Sequence, residues 1–190
     1  MLKEGQKRYL TSLSPERANR AVSIKPYDPR TATIAREVIN RIKQRFPEAD
    51  VRFMGASALG IAGQNDIDIY ILCPPDRSDG YFKELSKIFE GRVRNKWRWL
   101  ENGYEISVHI SDPQEPKRKE QIEIFRIFKT RPEVLKEYET LKISMNSRSY
   151  RDYMVAKYEF YNKVLGINDP SGIRTGKGVG KTGVFPWRKN

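Results

Sequence analysis

Two aspartates set two apart in a run of isoleucines constrain this chain more than any other feature. The segment Asn65-Asp66-Ile67-Asp68-Ile69-Tyr70-Ile71 alternates, and in a strand residues i and i+2 share a face. Ile67, Ile69 and Ile71 therefore demand a buried face, and Asp66 and Asp68 point together from the other. Neighbouring carboxylates repel each other, and burying them unpaired is costly. A cation between them relieves both costs. The cation expected is Mg²⁺, which takes one or two carboxylates together with substrate phosphates. Solvated acids on an edge strand are the competing reading.

Upstream, a short apolar run, Val51 to Met54, leads into a small-residue turn, Gly55-Ala56-Ser57. The residues from 56 to 63 read as a flexible connection to the Asp66–Cys73 strand, which Pro74-Pro75 closes. Residues 1–13 are polar and read as frayed. Ser14-Pro15 opens a short helix through an N-cap and a proline at its first position. Asp28-Pro29 starts a longer one, whose apolar positions Ile34, Val38, Ile42 and Phe46 step by four. A helix is expected over Tyr81–Phe89. Arg92–Leu100 and Tyr104–Ile110 form two strands around Asn102-Gly103, a hairpin signal. Three helices follow, from Glu115, from Arg131-Pro132 and over Tyr150–Leu165. The fold class is thus α/β (α+β): a small mixed β-sheet followed by C-terminal helices. Residues 1–21 read as an N-terminal extension, 22–166 as the domain with its helices, and 167–190 as a basic, flexible tail.

The Gly-Ser-type turn, a spacer of about ten residues and Asp-x-Asp on a strand resemble the signature of the nucleotidyltransferase (polymerase-beta-like) superfamily. Later segments narrow this. Phe125-Arg126-Ile127-Phe128-Lys129-Thr130-Arg131-Pro132-Glu133, then Tyr138-Glu139-Thr140-Leu141-Lys142, then Ala156-Lys157-Tyr158-Glu159-Phe160 are similar, in that order, to motifs of the GrpB family. The Ile24-Lys25-Pro26-Tyr27-Asp28-Pro29 stretch is similar too. The resemblance spans roughly residues 22 to 165 and implies a nucleotidyltransferase-like fold. In that superfamily the turn holds nucleotide phosphates and the acids hold metal ions that assist attack on the α-phosphate. GrpB proteins usually carry a single aspartate and a His-x-His strand. Here the first is Asp66-x-Asp68, and the second is replaced by Glu105, Ser107 and His109.

The resemblance places Gly55, Ala56 and Ser57 at the nucleotide phosphates, through backbone N–H groups and the Ser57 hydroxyl. Glu105 is the candidate third carboxylate and acceptor-deprotonating group, with a hairpin-end acid as the plain alternative. His109, the only histidine, is a candidate base or an ordinary strand residue. Arg92, Arg94, Lys96 and Arg98 alternate on one expected strand face, opposite Trp97 and Trp99, as an anion strip. Arg126 could add to the same site. Gly176-Lys177-Gly178-Val179-Gly180-Lys181-Thr182 lacks the P-loop spacing and reads as basic tail.

Charge points the same way. Lys and Arg number 36 against 24 Asp and Glu, a formal net charge of +12, which fits an anionic partner. A single cysteine, Cys73, excludes an intrachain disulfide and a Cys-based zinc cluster and fits a reducing cytoplasm. No apolar run reaches the ~18 residues a membrane span needs. The expectation is Mg²⁺-dependent transfer of a nucleotidyl group from an NTP to an unknown acceptor, RNA slightly favoured. The alternative is a non-catalytic nucleotide- or RNA-binding module on the same fold.

Overall fold

The computed structural model describes residues 1–167. Residues 168–190 of the sequence read as basic tail, including Gly176–Thr182, lie outside them. The elements run α1 (Glu4–Thr11), α2 (Pro15–Asn19), α3 (Arg30–Arg45), β1 (Asp50–Met54), α4 (Gly55–Leu59), β2 (Ile67–Leu72), a 3₁₀ turn (Pro75–Arg77), α5 (Ser78–Leu85), β3 (Arg92–Val93), β4 (Lys96–Glu101), β5 (Tyr104–Ser111), α6 (Pro116–Thr130), α7 (Pro132–Ser144) and α8 (Tyr150–Val164). This is the expected α/β architecture, a five-stranded mixed sheet with C-terminal helices.

The strand order is β1-β2-β5-β4-β3, with β2 and β5 parallel and the other pairs antiparallel. Ile67, Ile69 and Ile71 are fully buried on one face with Ile106, Val108 and Trp97. The α3 stripe, Ile34, Val38 and Ile42, covers that face, as its spacing of four predicts. Burying each such side chain contributes roughly 1.5–3 kcal/mol, so this face anchors β2 in register. A one-residue slip would turn the isoleucines out and the aspartates in.

The opposite face carries polar rows fixed by that register. Asp68 pairs with Ser107, and Ser107 with Arg98. Tyr70 pairs with His109, and His109 with Lys96. Helices α4, α6, α7 and α8 build a second core beside this face from Ala56, Ile61, Ile124, Phe128, Val134 and Tyr138.

Four local expectations are corrected. The N-terminal residues are not frayed: α1 packs on α8, burying Leu10 and Leu13 with Tyr153 and Met154. Gln6 and Asn162 exchange amide hydrogen bonds across that contact. The small-residue connection after Met54 is the short helix α4, closed by Gly60 at φ 69°. The helix after β2 begins at Ser78 and ends at Leu85, ahead of Phe89. The stretch from Arg92 to Leu100 is two strands, because Arg94 takes φ 54° and turns the chain back before β4. Asn95 secures that turn through hydrogen bonds with the Ile110 backbone. The Asn102-Gly103 hairpin forms as read, both residues having positive φ. Among the described residues no helix is long and apolar enough to cross a membrane.

One glycine sits tightly against α4. Gly63 exchanges two backbone hydrogen bonds with Lys25, and a Cβ there would meet the Ala56 Cβ at 2.7 Å. Neither is a flexible side-chain end, so backbone must move. Gly63→Ala is expected to cost about 1–3 kcal/mol, read as a lower midpoint in urea unfolding. An unchanged midpoint would mean α4 is free to shift.

Candidate active-site cleft

The cleft forms where the polar face of β2 meets the C-terminal helices. Its cavity, about 210 Å³, is lined by Gly55, Asp66, Asp68 and Tyr70 on the sheet side and by Lys142 and Lys157 on the helix side. Two adjoining hollows share this wall. One, of about 570 Å³, is bordered by Tyr70, His109, Tyr9 and Tyr158. The other, of about 430 Å³, runs from Asp66 and Asp68 past Ser107, His109 and Lys96.

The turn supports the acids in a way the sequence did not specify. Gly55 has φ +86°, and a Cβ there would lie 3.3 Å from the Asp68 Oδ2. Any side chain at this position would press on the carboxylate. Ser57 is 2% exposed, and its hydroxyl donates to the Asp66 carbonyl oxygen at 2.8 Å. That hydroxyl holds the loop ahead of β2. Ala56 is buried in the helical core. Of the three turn residues, Gly55 is the one that lies against a carboxylate, that of Asp68.

The electrostatics couple two acids to two lysines. Burial, reinforced by Asp68, pushes the Asp66 carboxyl up to about 6, while Lys142 and Lys157 pull the other way. Lys142 is 5% exposed. Burial, then the neighbouring Lys157, pushes its ammonium down to about 8, against the pull of Asp66 and Asp68. Lys157 is held above its ordinary value, by Tyr161 first and, among groups charged at neutral pH, by Asp68 and Asp66. Tyr138, fully buried, hydrogen-bonds to the Tyr161 hydroxyl at 3.1 Å and lies under the Lys142 ammonium.

A pH dependence of stability follows. Unfolded, Asp66 loses its proton near 3.8; folded, it keeps it to about 6. Between these values the folded state holds the extra proton. Stability from this group is full below pH 3.8 and is lost as pH rises through 6. The loss is about 3 kcal/mol at 1.36 kcal/mol per unit. Asp66→Asn, compared with wild type by urea unfolding from pH 4 to 7, should gain relative stability by that order as pH rises. A difference independent of pH would remove Asp66 from the buried cluster.

The other expected site residues divide. His109 stacks on Tyr70, and its Nε2 lies 3.8 Å from the Asp68 Oδ1. Lys96 lies in the same row, and Arg98 in the row of Asp68. Glu105 is on this face, but its carboxylate is held by Arg98. Among the described residues, no group of three or more His, Cys, Asp or Glu side chains converges as a metal site. Arg94 is exposed in the β3–β4 turn, and Arg92 packs its guanidinium over Phe82 at 4.3 Å. The four-residue basic strip is therefore two residues, Lys96 and Arg98. Arg126 is exposed on α6, paired with Glu123 and outside the cleft lining.

Lys142 and Lys157 are what residue patterns missed. Each sits among helical residues with nothing local to mark it. Both nevertheless fall within the Tyr138–Lys142 and Ala156–Phe160 segments that carry the family resemblance. Residues 21–166 match the model of the family described as GrpB protein. No curated protein and no solved structure matches the chain.

Proposed function

The chain belongs to the GrpB family, and we propose that its cleft binds the phosphates of an NTP with Mg²⁺ and transfers the nucleotidyl group to an acceptor hydroxyl. One observation carries this reading: an acid pair, Asp66 and Asp68, faces a lysine pair, Lys142 and Lys157, across one cavity. Acids alone would repel phosphate, and lysines alone would not recruit a metal. Together they match a metal–phosphate group, which presents a cation to one wall and anionic oxygens to the other.

The donor set fits Mg²⁺. Two carboxylates with substrate phosphate oxygens give an all-oxygen shell, and a cation there would relieve both the burial of Asp66, which raises its carboxyl most, and its repulsion by Asp68. When bound, the ion would neutralise charge developing on the transferred phosphoryl group. Lys142 and Lys157 would hold the phosphates and balance the leaving pyrophosphate. Gly55 would let the backbone approach. His109, beside Asp68, is better placed than Glu105 to accept the acceptor hydroxyl's proton.

The test is release of pyrophosphate from each NTP with Mg²⁺, with total RNA or without. Turnover that stops when Mg²⁺ is chelated supports the reading. A second reading has one observation in its favour: two carboxylates meet at the cleft, while Glu105 is engaged by Arg98. On that reading the cleft binds nucleotide without turning it over. NTP binding with no pyrophosphate release would select it.

A further inference from the structure

The mouth of the cleft is more basic than its floor. The groove of about 430 Å³ that leads away from Asp66 and Asp68 is lined by five cations: Arg17, Arg20, Lys25, Lys96 and Arg98. Among the described residues only Arg98 of these five has an acidic partner, Glu105. Asp66, Asp68 and Glu105 line it too, so its cations exceed its acids by two, and four cations without an ion-pair partner spread along one groove suit an anion longer than a single phosphate.

These cations are not loosely tethered. The Tyr150 N–H donates to the Arg20 carbonyl at 2.8 Å, and Ala21 bridges to Ser149. The Arg17 guanidinium reaches the hydroxyls of Tyr9 and Tyr150 at 3.4 and 3.5 Å. Lys25 is fixed by its backbone pairing with Gly63, and Lys96 by β4. Arg17 and Arg20 both precede the family-matched residues 21–166, so this wall is added by the chain's own N-terminal segment. Aromatic rings line the groove beside the charges. Tyr70, His109 and Tyr150 line the same groove, with Arg17 and Arg20 lying 5.2 and 5.9 Å from the Tyr150 ring centre. His109 stacks on Tyr70, which Arg118 also covers at 4.0 Å, so the row of cations, running on from the NTP site, is what suits a strand, through its phosphates.

We propose that this groove holds the end of a single-stranded polynucleotide, and that the terminal hydroxyl of this strand is the acceptor. Its phosphates lie on Arg17, Arg20, Lys25 and Lys96, and its end reaches Asp68 and His109. This rests on the reading of the inner cleft as the NTP site. In the transfer, the strand's hydroxyl oxygen bonds to the α-phosphorus and its proton passes to His109. The bond from that phosphorus to the bridging oxygen breaks, and pyrophosphate leaves.

The test measures binding of a labelled RNA strand of about eight nucleotides, and of the DNA of the same sequence, by fluorescence anisotropy across a salt series. NTP affinity is followed in parallel by calorimetry, and melting curves report folding. Arg17→Ala/Arg20→Ala is expected to weaken strand binding by about tenfold or more and to reduce the salt slope by about 1.4, at ~0.7 per phosphate contact. NTP affinity stays within about twofold because neither arginine lines the inner cleft. Lys83→Ala, on an exposed face of α5, changes neither reading. Should the arginine variant melt early, Lys25→Ala/Lys96→Ala is expected to act in the same way. RNA bound as well as DNA, or better, supports the proposal in either case. Equal strand affinity and slope in wild type and both groove variants overturns it, even where NTP binds. Polyphosphate of matched charge competing as well as the strand overturns it too. Strand binding that depends on the arginines, with no NTP binding in any protein, upholds the groove and refutes the inner cleft instead.

Discussion

Replacing Asp66 and Asp68 together by asparagine is expected to lower nucleotidyl transfer on the order of 10³-fold, with the protein still folded. The two carboxylates are the acids of the cleft not engaged by an arginine, so nothing else on that wall can bring a cation to the phosphates. Folding should survive because the charged form of Asp66 does not stabilise it. Burial and mutual repulsion already push Asp66 toward its neutral form, which asparagine mimics in shape and hydrogen bonding. Lost activity with retained or raised stability is the pattern of a site that holds strain for function. Activity within tenfold of wild type in a folded double variant would detach the acids from the chemistry.

Lys142→Met is the second large effect expected. Methionine keeps the length and removes the charge of a side chain that is 5% exposed. A charge-assisted phosphate contact contributes about 1.5–3 kcal/mol, so NTP affinity should fall about 10–150-fold. Stability should change by less than about 1 kcal/mol near neutral pH. The lysine is itself disfavoured by burial, but it also tempers the burial cost of Asp66. Without it, Asp66 keeps its proton to a higher pH than about 6. The NTP affinity profile should therefore move toward higher pH as well as down. Calorimetric titrations at pH 6, 7 and 8 would separate the two effects. Unaltered affinity with a collapsed melting temperature would make Lys142 a structural counter-charge only.

The site's sheet half was legible because period-two alternation is a local signal. Ile67, Ile69 and Ile71 had to share a face, and the acids had to share the other. The helical half was not, because nothing near Lys142 or Lys157 in sequence says which helix face turns toward β2. That is decided by Phe128, Tyr138 and Val134 packing against Ala56 and Ile61, contacts made across much of the chain. The strip from Arg92 to Arg98 failed for a different reason. Strand alternation was assumed through Arg94, a residue type that seldom takes positive φ, yet here it makes the turn. The part Ser57 takes within its own loop was not legible either: its hydroxyl donates to the Asp66 carbonyl, a contact no local pattern announces. The N-terminal residues looked frayed by composition. Leu10 of α1 and Leu13 just past it nonetheless pack with Tyr153 and Met154 of α8.

The most direct measurement is NTP affinity by calorimetry with and without Mg²⁺, in wild type and in Asp66→Asn/Asp68→Asn. If acids and lysines grip one metal–phosphate group, Mg²⁺ strengthens binding in wild type, and the variant loses that gain while keeping the metal-free affinity supplied by Lys142 and Lys157. Equal affinities in both proteins, indifferent to Mg²⁺, would contradict the account.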